Sequence, residues 1–234
     1  MTVRSLALAC ALVAFAACDS GSVVTPEASL APDVLEAIAE DAAVLALHYQ
    51  LAVERDSSTV ALPAALVESL RQSLVRVRAS EHGGRVEGVR ALATYSVRDV
   101  LVAADPSVAW TEAWRRGDRL TGYAPIDDRV REYGLALADY YEYPHVKSAR
   151  LRSDVPVNTV ALAQQFEAVP DLLYAAPNGI GGDGDRIEAV RLPDGWRFDF
   201  SRGSGDCPAG CIQRTYWTFR VTSAGAEYLG TRER

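Results

Sequence analysis

The sequence predicts an α+β chain: N-terminal helices, a central β-α-β crossover unit and a C-terminal antiparallel β-meander. Three observations carry this reading. Apolar residues recur at three- and four-residue spacing between Val34 and Ala52 and again between Leu66 and Val77, the period of a helix with one buried face. Trp196, Phe198 and Phe200 alternate with Arg197, Asp199 and Ser201, and Trp217, Phe219 and Val221 repeat the alternation, the period of a half-buried strand. Between these regions two strand-like runs bracket a segment that opens on a capping asparagine, Asn158. Helices early and strands late fit the α+β class.

The first helix covers 33–53, with Val34, Leu35, Ile38, Ala42, Leu45, Tyr49 and Ala52 as its stripe and Pro32 just ahead, where a helix start accepts proline. The second follows Pro63 with Leu66, Val67, Leu70, Leu74 and Val77, and the two pack as a hairpin across a loop at 55–58. Glu81-His82-Gly83-Gly84 breaks the second helix. Residues 99–104 read as a strand stopped by Asp105-Pro106. Residues 108–116 read as a short helix capped by Gly117, with Trp110 and Trp114 one turn apart as core rather than as a ligand platform. Pro125 opens a helix with Ile126, Val130 and Tyr133, and Gly134 ends it.

Residues 135–143 and 146–151 read as strands, the helix after Asn158 runs through Thr159, Leu162 and Phe166 to a stop at Pro170, and 172–176 is the next strand. Strand, helix and strand make a crossover, expected right-handed. Thereafter come a strand at 187–192, the turn Pro193-Asp194-Gly195, the two alternating strands, the turn Ser223-Ala224-Gly225 and a last strand at 226–229. Residues 33–134 are thus expected to be mainly helical and 135–234 to hold the α/β unit and meander, the two packed as one domain.

The N-terminus has a different character. Met1-Thr2-Val3-Arg4 precedes an apolar run at 6–17, the charged and apolar regions of a secretory signal. The run is shorter than the roughly 20 residues that span a bilayer. It ends Ala16-Ala17-Cys18, which resembles the lipobox of bacterial lipoproteins, although Phe15 stands where that family usually has an aliphatic residue. The resemblance implies cleavage after residue 17 and a lipidated, palmitate-bearing Cys18 that attaches the chain to a lipid bilayer. Cys10, with a shorter apolar run before it, and an ordinary cleaved signal with Cys18 unmodified are the alternatives. Residues 18–32 are small and polar with no apolar period, the composition of a flexible tether. Each buried lipid methylene contributes about 0.8 kcal/mol, so several chains anchor firmly. Asp19 follows the cysteine, a residue that retains enterobacterial lipoproteins at the inner membrane; other phyla do not follow that rule, and the outer membrane is the favoured destination.

Removal of residues 1–17 takes Arg4 with it and leaves 23 basic against 31 acidic residues, a net charge of −8. No basic run or aromatic–basic interleaving points to nucleic acid. Of four cysteines, only Cys207 and Cys211 lie beyond the signal and the lipidation site. In an oxidising compartment two thiols so close are expected to pair, and the disulfide would staple a glycine-rich connection between two strands. Their spacing is not that of a thioredoxin-like redox motif, and three scattered histidines do not complete a zinc site.

Gly205-Asp206-Cys207-Pro208-Ala209-Gly210-Cys211-Ile212, followed by Arg214, Tyr216-Trp217 and Phe219, resembles the C-terminal signature of a family of uncharacterised bacterial lipoproteins. Asn178-Gly179, Gly182-Asp183-Gly184-Asp185 and Phe198-Asp199-Phe200 look like further parts of it. The resemblance implies an envelope address and carries no activity. Separately, the stretch from Phe166 through Val169-Pro170-Asp171 to Ala175-Ala176-Pro177-Asn178 is similar to the closing strand of subtilisin-type propeptides. In that family a small α/β sheet covers the protease and a free C-terminal tail enters its active site, whereas this chain continues past Asn178.

Site chemistry is sparse. Asp183 and Asp185, with Asn178 and Asp206 nearby in sequence, supply the oxygen types that calcium takes, against a favoured reading as a glycine-rich turn. Tyr140, Tyr141 and Tyr143 beside His145 suggest a sugar or peptide face, with strand packing as the plain alternative; alternation puts Tyr141 and Tyr143 together. There is no nucleophile elbow, zinc-protease helix or phosphate loop, and His48 and His82 read as structural or solvated, so no catalytic residue is assigned. The expected function is that of a non-enzymatic envelope binding or structural module with an unidentified envelope protein or ligand as partner, the alternative being a propeptide-like inhibitor of subtilisin-type proteases. Metabolic labelling with a palmitate analogue should mark the protein, and Cys18→Ala should abolish the label; label surviving the substitution would rule out Cys18 as the anchor.

Overall fold

The computed structural model describes residues 26–179 and 181–234, so the signal, Cys10, Cys18 and the start of the tether lie outside the described residues. After a 3-10 turn at Pro26–Ser29, helices α1 (Pro32–Ala52) and α2 (Ala64–Arg78) pack against each other. Proline and Asp33 occupy the first turn of α1, and Arg76 and Arg78 the last turn of α2, placements that suit free N–H groups and the helix dipole. A second 3-10 turn, Gly83–Val86, follows; a side chain at Gly83 would collide with the Arg78 carbonyl.

The middle of the chain runs β1 (Asp99–Ala104), α3 (Thr111–Arg115), α4 (Ala124–Glu132), β2 (Leu135–Tyr143), β3 (Val146–Ser153), α5 (Thr159–Glu167) and β4 (Leu172–Pro177). Its sheet has the order β2-β3-β1-β4 with every neighbour antiparallel. Strands β3 and β4 therefore run parallel with β1 inserted between them. The crossover is present but split, and the whole is the β-α-β-β-α-β arrangement of ferredoxin-like folds. Strand β1 suits the central place because its short apolar residues are little exposed along nearly its whole length. Asn158 caps α5, its side chain accepting from the amides of Val160 and Ala161, both at 3.1 Å.

The end of the chain is a meander, β5 (Arg186–Leu192), β6 (Gly195–Ser204), β7 (Gln213–Thr222) and β8 (Gly225–Glu233), paired in sequence order. Strand β8 outruns the apolar segment expected at 226–229, because pairing continues to Thr215 opposite Glu233. Opposed pairs Trp196–Val221, Phe198–Phe219 and Phe200–Trp217 turn one face inward.

Two large cores result. In the first, Ile38, Leu45, Leu70 and Leu74 of α1 and α2 meet Trp196, Phe198, Phe200 and Phe219 of the meander, and the buried Trp196 indole donates to Ser69 Oγ at 3.0 Å. In the second, Val100, Val102 and Leu151 of the β1–β4 sheet meet Trp114, Ile126, Leu162 and Phe166 of the three helices above it. Trp110 stacks on Tyr123 at 5.5 Å and meets Trp114 edge-on at 4.9 Å, as core residues do. The first and last segments of the chain thus share one core while the middle builds another. Residue 134 falls inside the second core, between Val130 and Leu135. A smaller cluster of Ala43, Val44, Leu47 and Val97 lies on another side of α1.

Phe198→Ala should cost about 3–5 kcal/mol and Asn158→Ala about 1 kcal/mol in urea unfolding at constant slope. A cost for Phe198→Ala no larger than that of a surface substitution would contradict the first core.

Candidate functional site

Helices α3, α4 and α5 cover one face of the β1–β4 sheet, and the opposite face carries none of the three. Because side chains alternate along a strand, the uncovered face is read from the register. One row across the sheet is Tyr141, Ser148, Ala103 and Tyr174; the next is Asp139, Arg150, Leu101 and Ala176. The row beyond contains Asp99 opposite Arg152.

The face has two halves. At the hairpin end it is aromatic and apolar: Tyr141 is 40% exposed, Tyr143 57%, Leu173 53% and Tyr174 51%. Leu173 stands out at an irregularity in the register between Ala103 and Ala104. At the other end it is charged: Arg150 pairs with Asp139 and with Asp99 at 3.1 Å, Arg152 reaches Asp99 at 3.4 Å, and Ser96 donates to Asp99 at 3.0 Å. Tyr141 and Tyr143 share this face as alternation requires, while Tyr140 packs against the second core, where burial raises its phenol above the ordinary value. His145 is exposed in the turn between β2 and β3. Tyr174 was not legible as a partner of Tyr141, because nothing local in sequence shows that β4 and β2 flank the same sheet.

The acidic glycine segment serves another purpose. Asp183 accepts from the amides of Gly184 at 2.8 Å and Cys211 at 3.1 Å, from Arg214 at 2.6 Å and from Arg186. The amide and guanidinium donors hold its carboxyl well below the usual carboxylate range. Asp185 accepts from the Gly203 amide at 3.0 Å and from Arg202. Asn178 instead continues the pairing of β4 with β1, and Asp206 is exposed. The carboxylate oxygens of Asp183 and Asp185, weighed as calcium candidates, thus face guanidinium and amide donors. Among the described residues no three His, Cys, Asp or Glu side chains gather to hold a metal. Cys207 and Cys211 stand at disulfide distance in the β6–β7 connection, where a side chain at Gly203 would collide with the Cys211 sulfur.

A third feature escaped the sequence reading. Asp41 lies on the buried side of α1, its side chain only 3% exposed. Its Oδ1 accepts from Arg90 Nε and the Ala91 amide, both at 2.9 Å, while Oδ2 has no partner among the described residues. Burial raises its carboxyl above the ordinary value, against the opposing pull of Ala91, Arg90 and Arg78. The signal was available: Asp41 falls between Ile38 and Leu45 on the apolar stripe, where an acid is out of place.

No protein-family model, no curated protein and no solved structure matches this chain. Functional assignment therefore rests on these surfaces themselves.

Asp41 faces Arg90 and Arg78, with Glu40 near Arg90 and Glu87 near Arg78. Because its folded pKa is raised, the native state keeps a proton that the unfolded chain releases, and stability falls as pH rises from the ordinary carboxylate range through the folded value. Asp41→Asn should remove that component, so the variant should melt above wild type at neutral pH and the gap should close in acid. A variant that melts lower at neutral pH would contradict the assignment.

Proposed function

We propose that this protein is a lipid-anchored envelope protein that acts as a non-enzymatic binding module through the uncovered face of its β1–β4 sheet. One observation carries the reading: Tyr141, Tyr143, Leu173 and Tyr174 stand exposed at the hairpin end of the β1–β4 sheet, apart from the core that α3, α4 and α5 cover. Tyrosine and arginine dominate the energetics of protein interfaces, since both bring large area and directional bonds at modest entropic cost. Here the tyrosines flank a floor of small residues, Ser148 and Ala103, and Arg150 and Arg152 lie beside them. An envelope protein is the partner of matching chemistry. The lipid at Cys18 and the tether would hold this face away from the bilayer, with the outer membrane as the site of attachment and the Cys207–Cys211 disulfide as a structural staple.

The propeptide-like reading keeps one specific support, the β-α-β-β-α-β order with an uncovered antiparallel sheet. The segment after β4 differs from a free tail: the Asn178 amide donates to the Asp99 carbonyl at 3.0 Å, its carbonyl accepts from Ser96, and Gly179 lies against the Thr94 carbonyl. A protease contact would therefore use the sheet face alone. Shared topology is a weak warrant for shared function.

Photo-crosslinking in intact envelopes separates the readings. p-Benzoylphenylalanine in place of Tyr174 should capture an envelope protein that the same residue in place of the exposed Ala224 does not, and Tyr141→Ala should weaken the capture. Equal adducts at both positions would remove the sheet face from the function. Absence of inhibition across a panel of subtilisin-type proteases at micromolar protein would remove the second reading.

A further inference from the structure

Among the described residues each sheet ends on two outer strands, β2 and β4 in one and β5 and β8 in the other. An outer strand leaves a row of peptide groups unpaired, and proteins guard such edges against pairing with another chain, chiefly by charge. Three of these strands are guarded in this way. Strand β2 carries Asp139 and Glu142, β5 carries Arg186, Glu188 and Arg191, and β8 carries Glu227, Arg232 and Glu233. Strand β4 reads Leu172-Leu173-Tyr174-Ala175-Ala176-Pro177 and has no charge at all. Its Leu173 and Tyr174 are half exposed, at 53% and 51%.

The register shows which groups β4 turns outward. In an antiparallel pair, residues bonded to the neighbouring strand alternate with residues whose N–H and C=O point away from it. The Asn178 amide donates to the Asp99 carbonyl, so Ala176 and Tyr174, two and four positions earlier, also bond β1. Ala175 and Pro177 turn to the free edge, where proline has no ladder bond to lose. The Ala175 peptide groups bond no described backbone group beyond the ladder.

This edge matches a copy of itself. Paired antiparallel about Ala175, each Ala175 N–H donates to the other's carbonyl, and Tyr174 of each copy lies opposite Ala176 of the other. A large side chain then sits beside a small one, and no charge opposes a charge. The chain is acidic, so two copies repel over most of their surface and meet best at an uncharged edge. The contact is two-fold and closed, because each copy spends its one uncharged edge on it.

We infer that β4 pairs with β4 of a second copy and joins two β1–β4 sheets into one continuous sheet. The join sets Tyr174 of the second copy at the end of the row that holds Arg150, Leu101 and Ala176. Each copy thereby adds a tyrosine to the other's binding face; that consequence rests on the reading of the face, and the pairing itself does not. The pairing is short, bounded by the irregularity at Leu173 and by Pro177, so the interface is a small one.

The test uses the full chain in intact envelopes. Tyr174→Cys copies and Ala176→Cys copies are produced together with different tags and mildly oxidised. Opposite residues of a non-bonded pair have Cα atoms about 4.5 Å apart, within disulfide reach. A band of twice the chain's mass carrying both tags should form, and Ala224→Cys copies, altered at an exposed turn, should give none. Ala175→Pro removes the central donor without touching the β1 ladder and should abolish the band. Leu173→Lys puts a charge on the edge and should do the same where proline disturbs the strand. No mixed band, an equal band from Ala224→Cys copies, or a band that persists in folded Ala175→Pro and Leu173→Lys proteins would each overturn the inference. A disulfide to a different envelope protein in place of the second copy would assign the edge to another chain and overturn it too. The mixed band contains this chain alone, so its absence is distinct from a failure of the tyrosine face to capture another protein.

Discussion

Residues 41–47 of α1 are buried without a break, so this turn of helix has no solvent face. Ile38, Ala42, Leu45 and Ala46 enter the core that α1 shares with α2 and the meander, and Ala43, Val44 and Leu47 enter a separate cluster with Val97. The alanines are what permit this. A helix contacted on several sides needs short side chains wherever neighbours approach closely, and enlarging them would force displacements costing about 1–3 kcal/mol each. The position of α1 in turn fixes the order of the rest. Besides α2, its core partners are strands more than a hundred residues later, so the β1–β4 unit is built between the two halves of the first core.

That placement accounts for the uncommon state of Asp41. A carboxylate on a helix turn without a solvent face loses its hydration, and one arginine and one amide satisfy only one of its oxygens. Stability alone would favour an amide or an apolar residue here. The uncovered sheet face is a different matter. Its charged end is internally paired, so its exposed tyrosines, rather than a bare charge, distinguish it from ordinary surface.

Periodicity was a reliable guide wherever a segment has a single buried face. Strands β2 and β6, helix α2 and the Asn158 cap follow from spacing alone, because burial on one side stamps its period on the sequence. It was silent wherever the partner is distant. Strand β1 shows an apolar run, yet nothing in that run says that it separates β3 from β4. Asp183 finds Arg214 from 31 positions away, and Trp196 finds Ser69 from 127. Oxygens that looked like ligands in a glycine-rich stretch were already matched to guanidinium groups, a fact that only the fold supplies. Asp41 is a different case: it is a charged residue on the apolar stripe of α1, and its burial follows from packing against segments distant in sequence.

The connection between the two cores decides how these features relate in space. It is tied at one end where Asn178 pairs with Asp99 and Ser96, and at the other where the Asp183 amide donates to the Cys207 carbonyl at 2.9 Å and the Asp183 carboxylate accepts from Cys211, Arg186 and Arg214. Arg214 also donates to Gly184 and Ser201, so a single largely buried guanidinium links the connection to β6 and β7. Such a cluster is strong because each carboxylate oxygen meets a charged or amide donor of fixed geometry. With both ends fixed, the sheet unit and the α1 layer are coupled through Val97, Asp99 and Arg152, which border a cavity of about 280 Å³ that Asp41 and Arg90 also line. Asp99 belongs at once to that cavity and to the charged row of the uncovered face, where it holds Arg150 and Arg152. The Asp41–Arg90 pair and the charged end of the tyrosine face are thus two separate ion-pair groups that meet at the walls of that cavity.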